Sequence, residues 1–155
     1  DAGDSINPAI DIGQVEGAFI QGMGWLTTEE LWWNKDGVLM THAPSTYKIP
    51  SVNDCPGDFR TKLYKNSNVE DTIHRSKATG EPPLLLPFSV FFAIRDATSS
   101  VGGHRVNPPL DAPATGESIL KAINAVRAAA PEPARCRTGW ARCRHMSGRA
   151  APRFW

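Results

Sequence analysis

The residue best suited to acid–base chemistry in this sequence is Glu81, within the run Gly80-Glu81-Pro82-Pro83. Gly80 permits a ligand to approach the backbone closely, and the two prolines stiffen the chain that follows the carboxylate. A long apolar segment begins at Leu84, so we expect the carboxylate to be partly desolvated, with a raised pKa that suits a general base near neutral pH. An ordinary acid at a helix start is the alternative, and local sequence alone favours it.

A second candidate is Gln14, which lies between Gly13 and Gly17. An amide side chain donates and accepts hydrogen bonds, so near the beginning of a helix it suits a heteroaromatic or phosphate ligand. An exposed helical glutamine is the alternative, because polar residues mostly lie outside a fold. Other kinds of site are poorly supported: the four histidines lack metal-ligand spacing, and there is no P-loop or dinucleotide-binding glycine motif.

The composition excludes several classes of protein. The chain has 155 residues, of which 41% are hydrophobic and 21% charged, with a net charge of +1. That balance is typical of one globular domain and predicts no nucleic-acid or membrane partner. No apolar run of about 18 residues is long enough to span a membrane, and no secretory leader is recognisable, so we predict a cytoplasmic protein. The three cysteines (55, 136 and 143) lack zinc-site spacing and are expected to be free thiols.

Residues 131–155 differ from the rest of the chain in charge. Residues 1–130 have a net charge of −4, whereas the last 25 residues contain six arginines and one acid. This Arg-rich tail has no helical or strand-like apolar period. It either binds nucleic acid or another anionic partner, or is the product of a shifted reading frame. We favour the second because it lacks the lysines and patterned aromatic residues that suit a nucleic-acid surface. We therefore predict that it is disordered and place the fold in residues 1–130.

Two predicted helices position the candidate residues. Apolar residues recur at helical spacing from Asp11 to Leu31. Either Asn7-Pro8 or Asp11 could start this first helix, which places Gln14 near its beginning. Pro82-Pro83 is expected to open a second helix that continues to Ala97. Because that segment is apolar nearly all round, we predict a buried helix with Glu81 at its entrance.

The remaining elements complete an α+β prediction. A third helix is expected from Ser118 to Ala130, with Thr115 as its cap. A hairpin is predicted around the turn Asn34–Gly37, and the alternation from Phe59 to Tyr64 indicates a strand. The expected fold therefore has about three helices with short antiparallel strands.

Four blocks of the sequence resemble the molybdenum hydroxylase family, and they occur in the family's order: Asn7–Gly24, Pro44–Pro50, Ser76–Leu84 and Ala112–Glu117. The second block resembles the form seen in xanthine dehydrogenases and fits aldehyde oxidases less well. The third is similar to the family's active-site segment. The last departs from the family in having Gly116 where a proline is usual. Residues 1–130 are thereby identified as the C-terminal part of a molybdopterin-binding domain of the aldehyde oxidase/xanthine dehydrogenase type.

The resemblance implies a role for each candidate residue. In the family, a glutamate at the position of Glu81 is the catalytic base, which takes a proton from a hydroxide bound to molybdenum. A glutamine at the position of Gln14 contacts the pterin of the molybdenum-molybdopterin cofactor. The implied substrates are the purines hypoxanthine and xanthine, with urate as the product, and no side chain of this chain is implied as a metal ligand.

The resemblance also implies partners. The family's molybdenum portion extends several hundred residues on the N-terminal side, and most of the substrate and pterin contacts lie there. Three cysteines are too few for an iron–sulfur cluster, so FAD, 2Fe-2S and NAD are expected on the missing portions or on partner subunits. Two alternatives stay open: a catalytically inactive truncated fragment, and a related hydroxylase that acts on aldehydes or other N-heterocycles.

Overall fold

The computed structural model describes residues 1–130. Within that range there are three α-helices and three 3₁₀ helices: α1 (Pro8–Thr27), α2 (Phe88–Ser100), α3 (Gly116–Ala129), and 3₁₀ turns at Val52–Asp54, Ile73–Arg75 and Pro82–Leu85. None of the described helices is both long and apolar enough to cross a membrane. The predicted disorder of the Arg-rich tail, and Cys136 and Cys143 within it, lie outside the described residues.

Helix α1 begins at the first of the two predicted starts, Asn7-Pro8, and ends earlier than predicted. Asn7 is its N-cap, and the side-chain oxygen accepts hydrogen bonds from the backbone N–H groups two and three residues on, at 3.2 and 3.4 Å. Pro8 follows at the first helical position, where no backbone donor is lost. The helix ends at Thr27 rather than Leu31, because the next two backbone N–H groups both donate to the carbonyl of Gly24. The first predicted helix is therefore confirmed, with a shorter C-terminal end.

The prediction of one continuous helix over 82–97 is wrong. The chain instead forms the 3₁₀ helix Pro82–Leu85 and then α2, with Pro87 as the residue before α2. A proline inside an α-helix removes a hydrogen bond and clashes with the preceding turn, so the apolar run divides there. Burial is also one-sided, since Phe91 is 8% exposed while Phe92 is 57% exposed. The expectation of a helix buried all round is corrected accordingly.

The core lies between α2, α3 and the loop that joins them. Its buried cluster comprises Phe91, Leu110, Ala114 and Ala122, with Leu26, Ile94 and Ile119 packed against it. The backbone N–H of Ala114 donates to the carbonyl of Leu26 at 2.7 Å, which ties the end of α1 to this loop. Helix α3 is confirmed with its predicted cap, because the Thr115 hydroxyl accepts from the Ser118 N–H at 3.3 Å.

The strands of the α+β prediction are not found among residues 1–130. Trp33 and Leu39 form an isolated antiparallel bridge around a turn in which Gly37 has a φ of +77°, so the chain reverses as predicted without forming extended strands. The segment from Phe59 to Tyr64 alternates between half-buried and exposed side chains, as the sequence pattern indicated. It pairs with no neighbouring strand within the described residues, and a strand is not stable without a partner.

Candidate active site

The segment that carries Glu81 lies against the first turn of α1. The hydroxyl of Thr79 donates to Oδ1 of Asp11 at 3.1 Å, and the hydroxyl of Ser5 is hydrogen-bonded to Oδ2 of the same carboxylate. Asp11 belongs to the first turn of the helix, where the helix dipole favours a negative charge. One half-buried carboxylate therefore joins the N-terminal segment, α1 and the segment around Glu81.

The structure brings Gln14 next to this segment. Its side-chain oxygen Oε1 lies 3.4 Å from the position that a Cβ atom on Gly80 would occupy. Gln14 therefore lies beside the residue that directly precedes Glu81, although the two are far apart in sequence. Gln14 lies beyond the first turn of α1, so its exposed side chain, rather than a helix-terminal N–H group, is the part that can bind a ligand.

Glu81 directly precedes the 3₁₀ helix Pro82–Leu85 and has helical backbone angles, φ −79° and ψ −41°. Its backbone carbonyl accepts a hydrogen bond from the N–H of Leu84 at 3.0 Å. The carboxylate makes no capping hydrogen bond at this helix start, which counts against the interpretation of Glu81 as a capping acid. The side chain is exposed, so residues 1–130 by themselves do not desolvate it, contrary to the sequence expectation.

A buried glycine fixes the distance between the 3₁₀ helix and α1. A Cβ atom on Gly22 would lie 2.8 Å from the carbonyl oxygen of Leu84 and 2.7 Å from Cγ of Pro87, closer than real Cβ contacts. The backbone after Glu81 therefore approaches α1 as closely as a glycine permits. By contrast, a Cβ on Gly13 or Gly17 would meet nothing within 4 Å in the described part of the chain. The face of α1 around those two glycines is open.

Asn68, which the sequence did not single out, organises the chain that leads to the site. This residue is 7% exposed, and its side-chain amide donates to the carbonyl of Arg75 at 2.9 Å and to the hydroxyl of Thr72 at 3.1 Å. Its backbone N–H donates to Oδ1 of Asp4 at 2.9 Å. Thr72 and Arg75 are close to Asn68 in the chain, whereas Asp4 lies 64 positions away. Nothing in the local sequence distinguishes this buried amide from a surface one, because its burial depends on the tertiary fold.

A cleft of about 800 Å³ lies on the open face of α1, and Gly13, Gly17 and Tyr47 are among its lining residues. Glu29, also in the lining, is 8% exposed. Its carboxylate accepts a hydrogen bond from the Tyr47 hydroxyl, which raises the pKa of Tyr47, and burial and the negative charge of Glu29 act in the same direction. Thr28 adds a second link, since its hydroxyl donates to the carbonyl of Lys48 at 2.7 Å. These contacts attach the Pro44–Pro50 block to the end of α1.

Comparison with known proteins identifies the family. A family model described as the molybdopterin cofactor-binding domain matches residues 1–56. The chain is 52% identical over 132 residues to a xanthine dehydrogenase of Oryza sativa subsp. japonica, and 50% identical over 127 residues to the xanthine dehydrogenase/oxidase of Rattus norvegicus. This chain belongs to the molybdenum hydroxylase family. Each match covers 79% of the chain, and the chain spans 10% of the length of these two relatives.

Solved structures of the family share the fold. Quinoline 2-oxidoreductase from Pseudomonas putida 86 superposes with a TM-score of 0.67 and 30% identity, over 80% of this chain and 15% of that chain. The Cu,Mo-CO dehydrogenase in its carbon monoxide reduced state gives a TM-score of 0.61 at 22% identity, over 82% of this chain and 15% of that chain. The helices of residues 1–130 therefore form part of a molybdenum-cofactor-binding fold.

Proposed function

We propose that this chain supplies the catalytic base, Glu81, and one pterin contact, Gln14, to the molybdenum site of a xanthine dehydrogenase. The proposed reaction is the hydroxylation of hypoxanthine and xanthine to urate, in cytoplasmic purine catabolism. The observation that carries the proposal is the position of the Gln14 amide beside Gly80, directly before Glu81. The substrate class is supported by the identity of about half of the matched residues to xanthine dehydrogenases.

The residues around Gln14 suit a cofactor that is bound by hydrogen bonds. The amide is exposed, and the neighbouring Gly13 and Gly17 present no side chain, so a flat group can approach the helix there. No group of three or more His, Cys, Asp or Glu side chains in residues 1–130 is arranged to hold a metal ion. A metal at this place would therefore be held by the atoms of its own cofactor, and Gln14 would bind the pterin through its amide.

Glu81 would act as a general base at the reacting end of that cofactor. When bound, the molybdenum cofactor would supply the oxidising power and an acidic proton that a carboxylate base can accept. The task of Glu81 is to accept and hold that proton at a carboxylate oxygen, and Pro82-Pro83 keep its backbone stiff while it does so. Because Glu81 is exposed in residues 1–130, the exclusion of water from it must come from other parts of the enzyme.

We infer that those other parts cover the apolar surface of this chain. Trp25, Trp32 and Trp33 are each about half exposed, at 50, 55 and 52%. Few apolar residues are fully buried within residues 1–130, given the length of that segment. The proposed cover is the remaining molybdenum-domain sequence of a longer enzyme, and FAD, 2Fe-2S and the NAD site would lie on its other portions or on partner subunits. The short share of the relatives' length that the chain spans supports this arrangement.

Hydroxylation of another N-heterocycle is a second candidate function. It is favoured by the structural likeness to quinoline 2-oxidoreductase, which shares 30% of its residues with this chain over the superposed region. The Pro44–Pro50 block, which resembles the form seen in xanthine dehydrogenases, favours the purine instead. The two functions differ in substrate and use the same base.

A chimaeric enzyme tests the proposed function. The portion of the rat xanthine dehydrogenase/oxidase that matches this chain is replaced by the corresponding residues of this chain, which differ at about half of the positions. We expect the chimaera to contain molybdenum and to convert hypoxanthine and xanthine to urate faster than it oxidises quinoline or benzaldehyde. The parental rat enzyme, purified in parallel, is the control. A molybdenum-containing chimaera that prefers quinoline would support the second candidate, and one that oxidises none of these compounds would indicate an inactive fragment.

Replacing Gln14 with alanine is expected to weaken retention of the cofactor. Loss of one hydrogen bond costs about 1 kcal/mol, which corresponds to about fivefold weaker binding. The measurement is the molybdenum content of the chimaera after extended dialysis. Asn124→Ala, at an exposed amide of α3 away from this face, is the control and should retain its molybdenum. If Gln14→Ala lost no more molybdenum than Asn124→Ala, Gln14 would not be a cofactor contact.

A further inference from the structure

We propose that Asp11 is a positioning residue for the catalytic base. Through the hydroxyl of Thr79, its carboxylate fixes the segment 79–81 to α1 and so sets Glu81 beside Gln14. The inference rests on the proposed function, because it assigns Asp11 a role in placing Glu81. It adds a residue that the family resemblance did not supply as a participant in the site.

The geometry at Asp11 is that of a carboxylate fixed at both oxygens. Oδ1 accepts from Thr79 at 3.1 Å, and Oδ2 is hydrogen-bonded to the hydroxyl of Ser5. Hydrogen bonds to a charged acceptor are stronger than neutral ones, and two separate donors prevent rotation of the carboxylate. Both oxygens are engaged by hydroxyl groups of the protein, so Asp11 acts on Glu81 through Thr79 rather than as a base itself.

The contact lies between two anchors of the base-bearing segment. On the N-terminal side, Ser76 forms an antiparallel bridge with Gly3, and the N–H of Lys77 donates to the carbonyl of Ala2 at 2.9 Å. On the C-terminal side, Leu84 is packed against α1 at the buried glycine described above. Between these anchors the chain includes a glycine, which is conformationally free.

The Thr79 hydrogen bond therefore acts where the chain is least restrained. The Glu81 side chain makes no capping hydrogen bond that would fix it locally. The direction of its carboxylate consequently depends on where the backbone of residues 79–81 is held. A small displacement of a catalytic group lowers the rate while leaving substrate binding largely unchanged.

Two isosteric substitutions test the role in the chimaera. Thr79→Val removes the hydroxyl, and Asp11→Asn removes the charge that strengthens the bond. We expect each to lower kcat for xanthine by about 10- to 100-fold with little change in KM. Thr79→Ser restores the hydroxyl and is expected to restore kcat. The double variant should be no worse than the worse single variant, because both substitutions act on the same hydrogen bond. Ser5→Ala, which removes the donor to the other oxygen, should lower kcat less than Thr79→Val does.

A second readout does not depend on activity. In the cofactor-free chimaera, we expect Thr79→Val and Asp11→Asn to speed hydrogen exchange in peptides that cover residues 78–85, where the Leu84 N–H is bonded to the Glu81 carbonyl. Peptides from α3 should be unaffected, and Thr79→Ser should exchange like the parent.

The outcomes separate this inference from the proposed function. If Glu81→Gln abolishes turnover while Thr79→Val and Asp11→Asn keep full kcat and normal exchange, the role of Asp11 is overturned and the base assignment stands. If Glu81→Gln is fully active, the proposed function itself fails. Should Asp11→Asn not fold, the comparison of Thr79→Val with Thr79→Ser decides. A loss of molybdenum content from Thr79→Val in proportion to its loss of activity would assign the contact a structural role and overturn positioning.

Discussion

Glu81→Gln in the molybdenum-loaded chimaera is expected to lower kcat for xanthine by about 100- to 10,000-fold, the range that a general base contributes. Glutamine keeps the size and hydrogen-bonding oxygen of the side chain and loses its ability to accept the proton. Because the lost interaction belongs to the transition state, kcat and kcat/KM should fall together. Steady-state kinetics, with the molybdenum content measured for each preparation, checks this result.

The matched control is Glu117→Gln. Glu117 is also an exposed acid at a helix start, and the neighbouring Lys121 ammonium, 2.6 Å away, lowers the pKa of its carboxyl. An exposed ion pair of this kind contributes little to stability, so the control should keep full activity. If Glu81→Gln were as active as Glu117→Gln, Glu81 would be an ordinary acid at a helix start and not the base.

The pH dependence of kcat/KM is an independent test of Glu81 as the base. A general base must be ionised to accept a proton, so kcat/KM of the parental chimaera should fall at acidic pH. In Glu81→Gln, this acidic limb should be absent from the residual activity. A limb that remained unchanged in Glu81→Gln would belong to a different group.

Local signals were enough to predict the helices that carry the site. Asn7 and Pro8 are strong start signals, and the side-chain hydrogen bonds of Asn7 are the ones that the start of α1 needs. Thr115 does the same for α3. The division before α2 also had a local signal, Pro87, which lies within the apolar run and whose effect on the helix outweighs the hydrophobic pattern.

Pairing and packing could not be predicted in the same way, because they depend on residues far apart in the chain. The alternation from Phe59 to Tyr64 indicates which side chains are half-buried but supplies no partner strand. The bond from Thr79 to Asp11 joins residues 68 positions apart, and neither residue differs locally from an ordinary threonine or aspartate. Local sequence indicated Glu81 and Gln14 as candidates and the family resemblance implied their roles, whereas the approach of Gln14 to Gly80 is a property of the tertiary fold.

The glycines of α1 also cannot be distinguished from local sequence, because contacts that are remote in the chain decide the effect of a substitution at each one. Gly22→Ala places a Cβ 2.8 Å from the Leu84 carbonyl oxygen, and backbone cannot move away as a flexible side chain can. Overpacking of this kind costs about 1–3 kcal/mol, so we expect a lower Tm and faster hydrogen exchange in residues 82–87. Gly17→Ala meets nothing within 4 Å in residues 1–130, and should stabilise the chain on its own by up to about 1 kcal/mol through helix propensity.

The same pair of substitutions distinguishes packing within the chain from packing against what the chain binds. Gly22→Ala should be destabilising both in the 155-residue chain and in the loaded chimaera, because its obstacle, Leu84, is present in each. Gly17→Ala should raise Tm in the 155-residue chain and lower it in the loaded chimaera. The reason is that the proposed function requires the cofactor or the rest of the molybdenum domain to approach the open face of α1. Calorimetric melting of both proteins measures the difference. A Gly17→Ala variant that raises Tm in the loaded chimaera as well would mean that nothing approaches this face, and would contradict the placement of the cofactor beside Gln14.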